Sequence, residues 1–434
     1  MRYHLSEIPA LLRTPAGRKQ IWGGLHYRSW PVLSRLAALH RRTLMRQTRV
    51  AAVVGSFGKS TTTRAIAAAL GVRLHRRFSY NCFSGLAHSV LRIPPGQRHG
   101  VIEVGIDRPG QMSQYARIVR PDIVVVTCIG SEHHRSLGTL ETTRTEKAEM
   151  VRALSSNGLA VLNGDDPNVL WMKSQTSART VTFGFGADND VRADDVRLDW
   201  PHGTRFQLHV DGQTREMTVR LLGQHMLLPI LAAVAVARAE GLPLDAILPP
   251  LQELAPTRGR LETIALPNDI WIVRDDDKSA LETIHSALDV FAQIPAKRRL
   301  IALGEVSEPP SSQGPLYQAI GERLARIVSL VVMIGTDKNR RSYMTGVERG
   351  GLNRSAVLYA SHSVLRAAEL LRAQLQPGDV LLIKGRYEQH LERIALSLMG
   401  RNVLCDIKLC RIKRSTCADC PMLERGWQDH HPVT

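Results

Sequence analysis

The sequence contains few aromatic residues and few cysteines. Phenylalanine, tryptophan and tyrosine make up 5% of the 434 residues, and there are six cysteines. So few cysteines in a chain of this length do not indicate a disulfide scaffold, and we expect a protein of the reducing cytoplasm. No apolar run approaches the roughly 18 residues of a membrane-spanning helix. The N-terminus also lacks the apolar segment with a cleavage site that is typical of a secretory signal.

Acidic residues are outnumbered by basic ones, and the formal net charge is +17. Such a charge serves solubility, or it attracts anionic substrates, nucleic acid or anionic lipid. The sparse aromatics and the lack of zinc-finger, RNP and helix-turn-helix patterns argue against nucleic acid, so no nucleic-acid partner is expected. The length predicts two or three domains, and a hydrophobic content of 44% is ordinary for a globular protein.

A glycine-bracketed turn with a lysine follows an early apolar run. Val53 and Val54 lead into Gly55-Ser56-Phe57-Gly58-Lys59-Ser60-Thr61, and helix-forming residues come next. Glycines let backbone N–H groups surround phosphate oxygens, lysine supplies charge, and a hydroxyl can hold Mg²⁺. The pattern predicts a nucleotide site formed by Gly55, Ser56, Gly58, Lys59, Ser60 and Thr61. The common phosphate-loop spacing would place its first glycine at residue 53, so this loop is a compact variant.

The surrounding residues alternate between apolar strands and helices up to about residue 255. Continuous apolar strands separated by helices predict a parallel sheet covered on both faces. The predicted strands are Arg49–Val54, Val101–Val104, Ile123–Cys128 and Leu159–Leu162, and the predicted helices are Ser60–Leu70, Gln111–Val119 and Thr142–Leu154. Residues 180–221 are predicted to form short antiparallel strands, at Val181–Phe183, Val191–Leu198, Arg205–Val210 and Glu216–Leu221.

A linker at 256–260 separates this region from a second alternating pattern. The predicted strands there are Ile270–Arg274, Leu300–Leu303, Leu330–Ile334 and Val380–Ile383. The predicted helices are Ala280–Phe291, Leu316–Ile327, Ser363–Gln374 and Tyr387–Leu398. We therefore predict an α/β protein with a P-loop central ATPase domain on a parallel sheet and a C-terminal Rossmann-like, doubly wound domain. The predicted boundaries are 1–48 for a basic helical segment, 49–255, 256–400, and 401–434 for a cysteine-rich tail.

Polar residues follow two of the early strands. Glu103 ends one strand, and Ser131-Glu132-His133-His134 comes shortly after another. Carboxyl ends of parallel strands meet at the ligand edge of such a sheet, and Mg²⁺ prefers hard oxygen ligands there. The placement favours a metal or phosphate role for Glu103 and His133. Lys147 by itself would be interpreted as a solvated helix lysine.

The order and spacing of several short segments resemble the Mur ligase family. The segments are Gly55–Thr61, Val101–Gly105, Arg120–Asp122, His133, Glu146–Glu149 and Asn163–Asp166. The resemblance extends over residues 50–400 and is strongest to the subgroup that adds D-alanyl-D-alanine to UDP-MurNAc-tripeptide. It implies an enzyme that uses ATP and Mg²⁺ to join a carboxylate to an amine through an acyl phosphate.

The resemblance also implies residue roles. Ser60, Glu103 and His133 would bind Mg²⁺, and Lys147 would be carbamylated so that its carbamate serves the metal. Asn163 falls in a nucleotide-binding segment. Arg260 would reach ATP phosphates, Asp275 (with Asp276 as the alternative) would belong to an acidic loop facing nucleotide and substrate, and Lys384 would face the amine. Lys59, Lys147, Arg260, Asp275 and Lys384 are thus the predicted catalytic residues.

Three segments depart from the family pattern. The residues Gly223-Gln224-His225-Met226 stand where the family has two asparagines near adenine, so either adenine is held differently or ATP is not the only nucleotide that this chain accepts. The loop Asp277-Lys278-Ser279 is also altered. Residues 1–48 are too short and basic for the family's N-terminal UDP-sugar-binding domain, so we expect a substrate that is not held in the usual way.

Residues 1–48 are predicted to be helical, with arginines alternating with Trp30, Leu33, Leu36, Leu39 and Leu44. Two interpretations remain open. Such a helix can lie on the anionic inner face of a membrane, or it can dock on the protein core with its arginines in solvent. The first would make the protein peripheral to the membrane and would suit a lipid-linked substrate.

Four cysteines crowd the C-terminal tail, at Cys405, Cys410, Cys417 and Cys420. Four thiols in one short segment can form a structural tetrahedral zinc site, which is the preferred interpretation. An iron–sulfur site and four independent cysteines are the alternatives.

The predicted function is therefore that of an ATP-dependent carboxylate–amine ligase acting on a cell-wall-related or lipid-linked substrate. One alternative is a poly-amino-acid or capsule synthetase, which uses the same type of loop. The other is a non-catalytic regulatory protein built on a degenerate ligase fold, which the altered adenine segment favours and the retained Lys59, Glu103, His133 and Lys147 oppose.

Overall fold

The chain folds into two compact units. A computed structural model of the protein describes residues 8–13, 15–75, 78–131, 134–309, 313–410 and 416–426. One unit spans His26–Pro256, and the other runs from Thr257 onward and includes the residues up to Leu25. We name them the eight-stranded unit and the six-stranded unit after their sheets.

The eight-stranded unit is built on one mixed sheet. Its strands are β1 (Arg49–Val54), β2 (His99–Glu103), β3 (Ile123–Val126), β4 (Leu159–Asn163), β5 (Arg179–Gly184), β6 (Val191–Asp199), β7 (Gly203–Val210) and β8 (Gln213–Val219). Their order is β2-β1-β3-β4-β5-β6-β7-β8. Strands β1 to β6 pair in parallel, and β7 and β8 extend the sheet antiparallel.

Helices α1 (Ile8–Leu12) and α2 (Pro15–Arg28) come first in the chain, and α1 and most of α2 lie among the residues up to Leu25 that belong to the six-stranded unit. The helices of the eight-stranded unit are α3 (Trp30–Thr43), α4 (Lys59–Ala69), α5 (Phe83–Leu91), α6 (Gln111–Val119), α7 (His134–Leu137), α8 (Leu140–Arg152), α9 (Pro167–Leu170), α10 (Leu228–Ala239) and α11 (Leu244–Gln252). The strands β2, β3 and β4 are buried along their whole length, as a parallel sheet with both faces covered requires.

The six-stranded unit has a second, mostly parallel sheet. Its strands are β9 (Glu262–Leu266), β10 (Ile270–Asp275), β11 (Arg298–Leu303), β12 (Leu330–Met333), β13 (Val357–Tyr359) and β14 (Asp379–Lys384). The order is β13-β12-β11-β14-β10-β9, and only β9 runs antiparallel to its neighbour. The helices are α12 (Leu281–Gln293), α13 (Gln313–Ala325), α14 (Asp337–Arg349), α15 (Val364–Gln374), α16 (Glu392–Leu398) and α17 (Met422–Arg425).

Two open α/β sheets confirm the predicted fold class, with several corrections. Strand β5 was expected to be antiparallel, but it pairs in parallel with both β4 and β6. The helix predicted from Tyr387 begins only at Glu392, after a 3-10 turn over Tyr387–Gln389 and a left-handed residue at His390. Strands β9 and β13 and helix α14 were not predicted.

Helix α3 docks on the core of the eight-stranded unit. Arg41 is buried and pairs with Asp122 at 2.7 Å, while its guanidinium also donates to the carbonyls of Val119, Met45 and Arg120. The Trp30 ring lies 5.7 Å from that of Tyr115. This anchoring agrees with the docked interpretation of the basic helix. Among the described residues, no helix combines the length and the apolar character that crossing a bilayer requires.

Candidate functional site

The glycine-bracketed loop occupies the carboxyl end of β1 and leads into α4. Gly55 has a φ of 143°, and a Cβ there would lie 1.9 Å from the Thr127 hydroxyl oxygen. Gly58 adopts a left-handed conformation at the N-cap of α4. Both positions therefore need glycine, one for close approach and both for backbone geometry. The loop directs the N-terminal N–H groups of an 11-residue helix to the sheet edge, which is the geometry for binding an anion.

Lys59 folds back over this loop. Its Nζ donates to the carbonyl oxygens of Gly55 at 2.8 Å and Ser56 at 2.9 Å. These contacts hold the ammonium charge above the turn. Ser60 and Thr61 follow in the first turn of α4, where Ser60 is half-buried and Thr61 is buried. The predicted phosphate-binding residues are thus brought together.

Ser56 links the loop to a second lysine. The Ser56 hydroxyl accepts hydrogen bonds from the Gly130 N–H at 2.8 Å and from Lys147 Nζ at 2.9 Å, and it donates to the Gly130 carbonyl. Lys147, on α8, is 4% exposed. It is therefore not the solvated helix lysine that its sequence context alone would indicate, because α8 packs it under the loop.

The thiol of Cys128, just after β3, lies near both lysines. Burial raises the pKa of the Cys128 thiol, and the nearby charges of Lys147 and Lys59 act in the opposite direction. Both ammonium groups therefore influence the same point after β3. Two lysine ammonium groups that contact one loop favour a polyanionic ligand.

Glu103 is the carboxylate at the end of β2. It is 3% exposed, and its Oε1 accepts a hydrogen bond of 2.6 Å from Asn81 Nδ2. Its register partner on β1 is Val53, two residues before Gly55. Asn81 was missed by the sequence reasoning, because it lies in an irregular segment before α5 and carries no pattern of its own. Gly105 makes room for it, since a Cβ there would lie 2.7 Å from Asn81 Oδ1.

Asn163 supports the neighbouring loop after β3. Its Nδ2 donates to the Thr127 carbonyl at 2.8 Å, and its Oδ1 accepts from the Asp165 N–H. Asp166 accepts from the Ile129 N–H at 2.7 Å. The structure thus places Asn163 where it positions the loop after β3. His133, predicted as a metal ligand, lies outside the described residues.

The six-stranded unit holds the other predicted residues near the end of β10. Lys384 ends β14, and its Nζ lies 2.7 Å from Asp275 Oδ2. Its side chain is 1% exposed. Burial lowers the pKa of Lys384, and the Asp275 carboxylate opposes that shift. Arg260 pairs with Asp277, which belongs to the loop after β10.

Asp275 and its alternative Asp276 have different partners. Asp276 pairs with Arg274 at 3.1 Å, and Arg274 also contacts Glu262 and Glu392. Burial raises the pKa of Asp276 to about 6. Asp276 is paired within this cluster, whereas Asp275 faces Lys384. The geometry therefore favours Asp275 as the residue of the acidic loop that faces nucleotide and substrate.

The tail cysteines do not form the predicted set of four. No disulfide joins the six cysteines. Cys405 is buried, and its Sγ lies 3.5 Å from Arg393 Nη1. A different group forms at the start of α16, where ligand atoms of His390, Glu392 and Cys417 all lie within 4.8 Å of one another. The sequence reasoning missed His390, which precedes Cys405 by 15 residues.

Two family models match the chain. The one described as Mur ligase middle domain matches residues 53–237, and the one described as Mur ligase, glutamate ligase domain matches residues 259–387. Each match falls within one of the two compact units.

Curated relatives show a similarity over most of the chain. UDP-N-acetylmuramoyl-tripeptide–D-alanyl-D-alanine ligase of Mycobacterium tuberculosis strain H37Rv is 28% identical over 368 residues, covering 80% of this chain and 72% of that protein. The protein of the same name from Bacillus subtilis is 27% identical over 364 residues, covering 81% and 76%.

Solved structures show the same fold. MurF from Acinetobacter baumannii has a TM-score of 0.75 at 22% identity, with 86% of this chain and 81% of that chain covered. MurF from Thermotoga maritima in complex with ADP has a TM-score of 0.74 at 22% identity, covering 86% and 83%.

Proposed function

This chain belongs to the Mur ligase family, and from that membership we propose how its residues form an amide bond. It is an ATP-dependent ligase of peptidoglycan precursor synthesis, with a carboxylate and an amine as substrates. The curated relatives join UDP-N-acetylmuramoyl-tripeptide to D-alanyl-D-alanine according to their names. We propose a carboxylate of the same cell-wall class for this chain, handled by a protein of the cytoplasm.

The joint placement of Lys59 and Lys147 on one loop carries the proposal. Lys59 contacts the Gly55 and Ser56 carbonyls, and Lys147 contacts the Ser56 hydroxyl. A triphosphate bound at the N-terminus of α4 would meet the Lys59 ammonium, and Lys147, once carbamylated, would present a negative charge to a metal ion beside the same loop. We propose that Gly55, Ser56, Gly58, Lys59, Ser60 and Thr61 bind the phosphates, with Asn163 positioning the adjacent loop.

Mg²⁺ fits the oxygen donors at this sheet edge. The donors are the Ser60 hydroxyl and the buried Glu103 carboxylate, and both are hard ligands of the kind that this ion requires. We propose His133 as a further ligand, and Lys147 as a carbamate formed with CO₂. When bound, the ion would neutralise charge on the phosphate oxygens.

The proposed chemistry has two steps. A carboxylate oxygen of the substrate attacks the γ-phosphorus of ATP, the bond to the β-phosphate oxygen breaks, and ADP leaves. The amine then attacks the carbonyl carbon of the acyl phosphate, and phosphate departs with one former carboxylate oxygen while the amine nitrogen loses a proton. Lys59 and Arg260 stabilise charge on the transferring phosphoryl group. We propose that Asp275 and Lys384 orient the amine.

The test is ADP formation by the full chain with ATP, UDP-N-acetylmuramoyl-tripeptide and D-alanyl-D-alanine. We expect ADP and amide in equal amounts, and loss of both when either the carboxylate or the amine is left out. A carboxylate panel that gives no amine-dependent ADP would contradict the proposal and favour a non-catalytic protein.

A membrane contact through α3 is a finer proposal. While one face of α3 docks on the core, Val32, Leu36 and Leu39 are 62%, 48% and 58% exposed. They share one face at helical spacing, and the exposed Arg35 and Arg42 flank them. An apolar face bordered by arginines fits the interface of an anionic bilayer, so we propose that α3 rests on anionic lipid headgroups.

Vesicle co-sedimentation tests this contact without deleting the helix, because removal of α3 would expose the core that Trp30 and Arg41 cover. We expect the triple variant Val32→Ser/Leu36→Ser/Leu39→Ser to lose binding to phosphatidylglycerol vesicles, and added salt to weaken the binding of the unchanged protein. The matched control is Leu140→Ser/Leu170→Ser, which removes exposed apolar side chains elsewhere. Equal sedimentation of the triple variant and the unchanged protein would contradict the contact.

We propose that the cysteine-rich tail binds a zinc ion in a structural and not a catalytic role.

A further inference from the structure

A polar cluster lies where the tail returns to the start of α16. It consists of His390 and Glu392, both buried, and Cys417, which is half-buried. Their ligand atoms all lie within 4.8 Å of one another. The His390 imidazole is also close enough to the thiols of Cys410 and Cys417 to interact with both. An imidazole and two thiols around one point are donors that Zn²⁺ prefers.

The buried imidazole of His390 is the observation that most strongly indicates a missing ligand. Its side chain is 4% exposed, and its Nε2 has no hydrogen bond of normal geometry within the described part of the chain. A buried polar atom without a partner costs about 1–3 kcal/mol, so such atoms usually have a role. A metal ion at Nε2 would satisfy it.

Glu392 lies beside His390, and its contacts suit it to orient the imidazole and not to bind the metal ion itself. Its Oε1 accepts from the Cys417 N–H at 2.6 Å and lies 3.6 Å from His390 Nδ1. Its Oε2 lies 3.1 Å from an Arg258 nitrogen and 3.3 Å from an Arg274 nitrogen. Because both oxygens already have partners, Glu392 suits the carboxylate that orients a metal-bound imidazole through its other nitrogen.

Backbone hydrogen bonds tie the tail segments that carry Cys410, Cys417 and Cys420 to one another and to the turn before His390. The Cys410 N–H donates to the Glu388 carbonyl at 2.7 Å, which ties the tail to the turn before His390. Cys417 and Cys420 have the spacing of a zinc knuckle, and the Cys420 N–H donates to the Cys417 carbonyl at 3.1 Å. Cys405 is excluded from this group, because its thiol lies against the Arg393 guanidinium.

We propose that His390, Cys410, Cys417 and Cys420 bind one Zn²⁺ ion, which fastens the tail to the loop between β14 and α16. This ligand set replaces the four cysteines expected from the sequence, with His390 in place of Cys405. Binding releases the three thiol protons to solvent as each sulfur becomes a thiolate ligand. The site is independent of the ligase reaction, and it stabilises the segment that follows Lys384.

The experiment is elemental analysis of the full chain and of four variants, followed by titration of the chelator-treated protein with Zn²⁺ against a chromophoric chelator. We expect about one zinc ion per chain in the unchanged protein. His390→Ala and Cys417→Ser should each weaken zinc binding by at least about 100-fold. Cys405→Ser should keep the ion with unchanged affinity.

The variant His390→Cys distinguishes loss of a zinc ligand from misfolding as the cause of zinc loss in His390→Ala. A fourth thiolate at this position can restore a tetrahedral site. We expect it to bind zinc more tightly than His390→Ala. A zinc-free protein that also fails to bind added zinc would overturn the proposal. So would loss of zinc in Cys405→Ser with retention in His390→Ala, and so would iron with inorganic sulfide in place of zinc.

Discussion

Replacing Lys59 with methionine is expected to lower the rate of amine-dependent ADP formation by about 10³-fold. Lys59 is the cation that the loop holds directly above its own turn, with Nζ 2.8 Å from the Gly55 carbonyl. Methionine keeps the apolar stem of the side chain but removes the charge that would stabilise the phosphoryl group in transfer. Because this stabilisation grows as charge develops, the loss should fall mainly on kcat and less on the apparent affinity for ATP.

The measurement is steady-state kinetics with a coupled ADP assay. Lys173→Met is the matched control, because Lys173 is an exposed lysine in the same unit away from the loop. It should leave the rate unchanged. A Lys59→Met protein that keeps the kcat of the unchanged enzyme would show that the loop does not perform phosphoryl transfer.

Replacing Arg393 with methionine is expected to destabilise the six-stranded unit by at least about 4 kcal/mol. Arg393 is 1% exposed. Its guanidinium donates to the carbonyls of four residues at 2.8–3.2 Å, namely Gln389, His390, Cys405 and Ile407. Methionine would remove the side-chain donor from the carbonyls of Gln389, Cys405 and Ile407, at about 1–3 kcal/mol for each unsatisfied group, while the His390 carbonyl would keep its bond from the backbone N–H of residue 393.

Native-state hydrogen exchange of the buried amides in β14 measures this loss and separates it from unfolding of the other unit. We expect exchange through global opening to become about 1000-fold faster. Arg366→Met is the control, since Arg366 forms an exposed pair with Glu369 at 3.2 Å and should change stability by less than about 1 kcal/mol. A small effect of Arg393→Met would mean that the tail packs independently of this arginine.

The regular parts of the fold could be predicted because their local and tertiary signals agree. Strand β1 and helix α6 have the predicted bounds, since unbroken apolar runs and amphipathic spacing suffice where both faces are covered. The direction of β5 could not be predicted, because its pairing depends on distant strands. Helix α14 was missed because its charged sequence, Asp337–Arg349, hides the buried Tyr343 and Val347.

The candidate site also contains some residues that the sequence could predict and others that it could not. The Gly55–Thr61 loop follows from sequence because its chemistry is contiguous along the chain. Asn81 and His390 are brought to their partners only by tertiary structure, so no local spacing marks them. Lys147 is an intermediate case. Only the family resemblance indicated a role for this residue, and the structure then shows its Nζ donating a hydrogen bond to the Ser56 hydroxyl.

Transfer of isotope from the carboxylate to phosphate tests the central claim most directly. The full chain would be incubated with ATP, the amine and a substrate labelled with ¹⁸O in the reacting carboxylate, and the phosphate analysed by mass spectrometry. An acyl-phosphate mechanism predicts one ¹⁸O atom in each phosphate for every amide bond formed. Amide formation with unlabelled phosphate would contradict the mechanism, because the carboxylate oxygen would then never have been bonded to the γ-phosphorus.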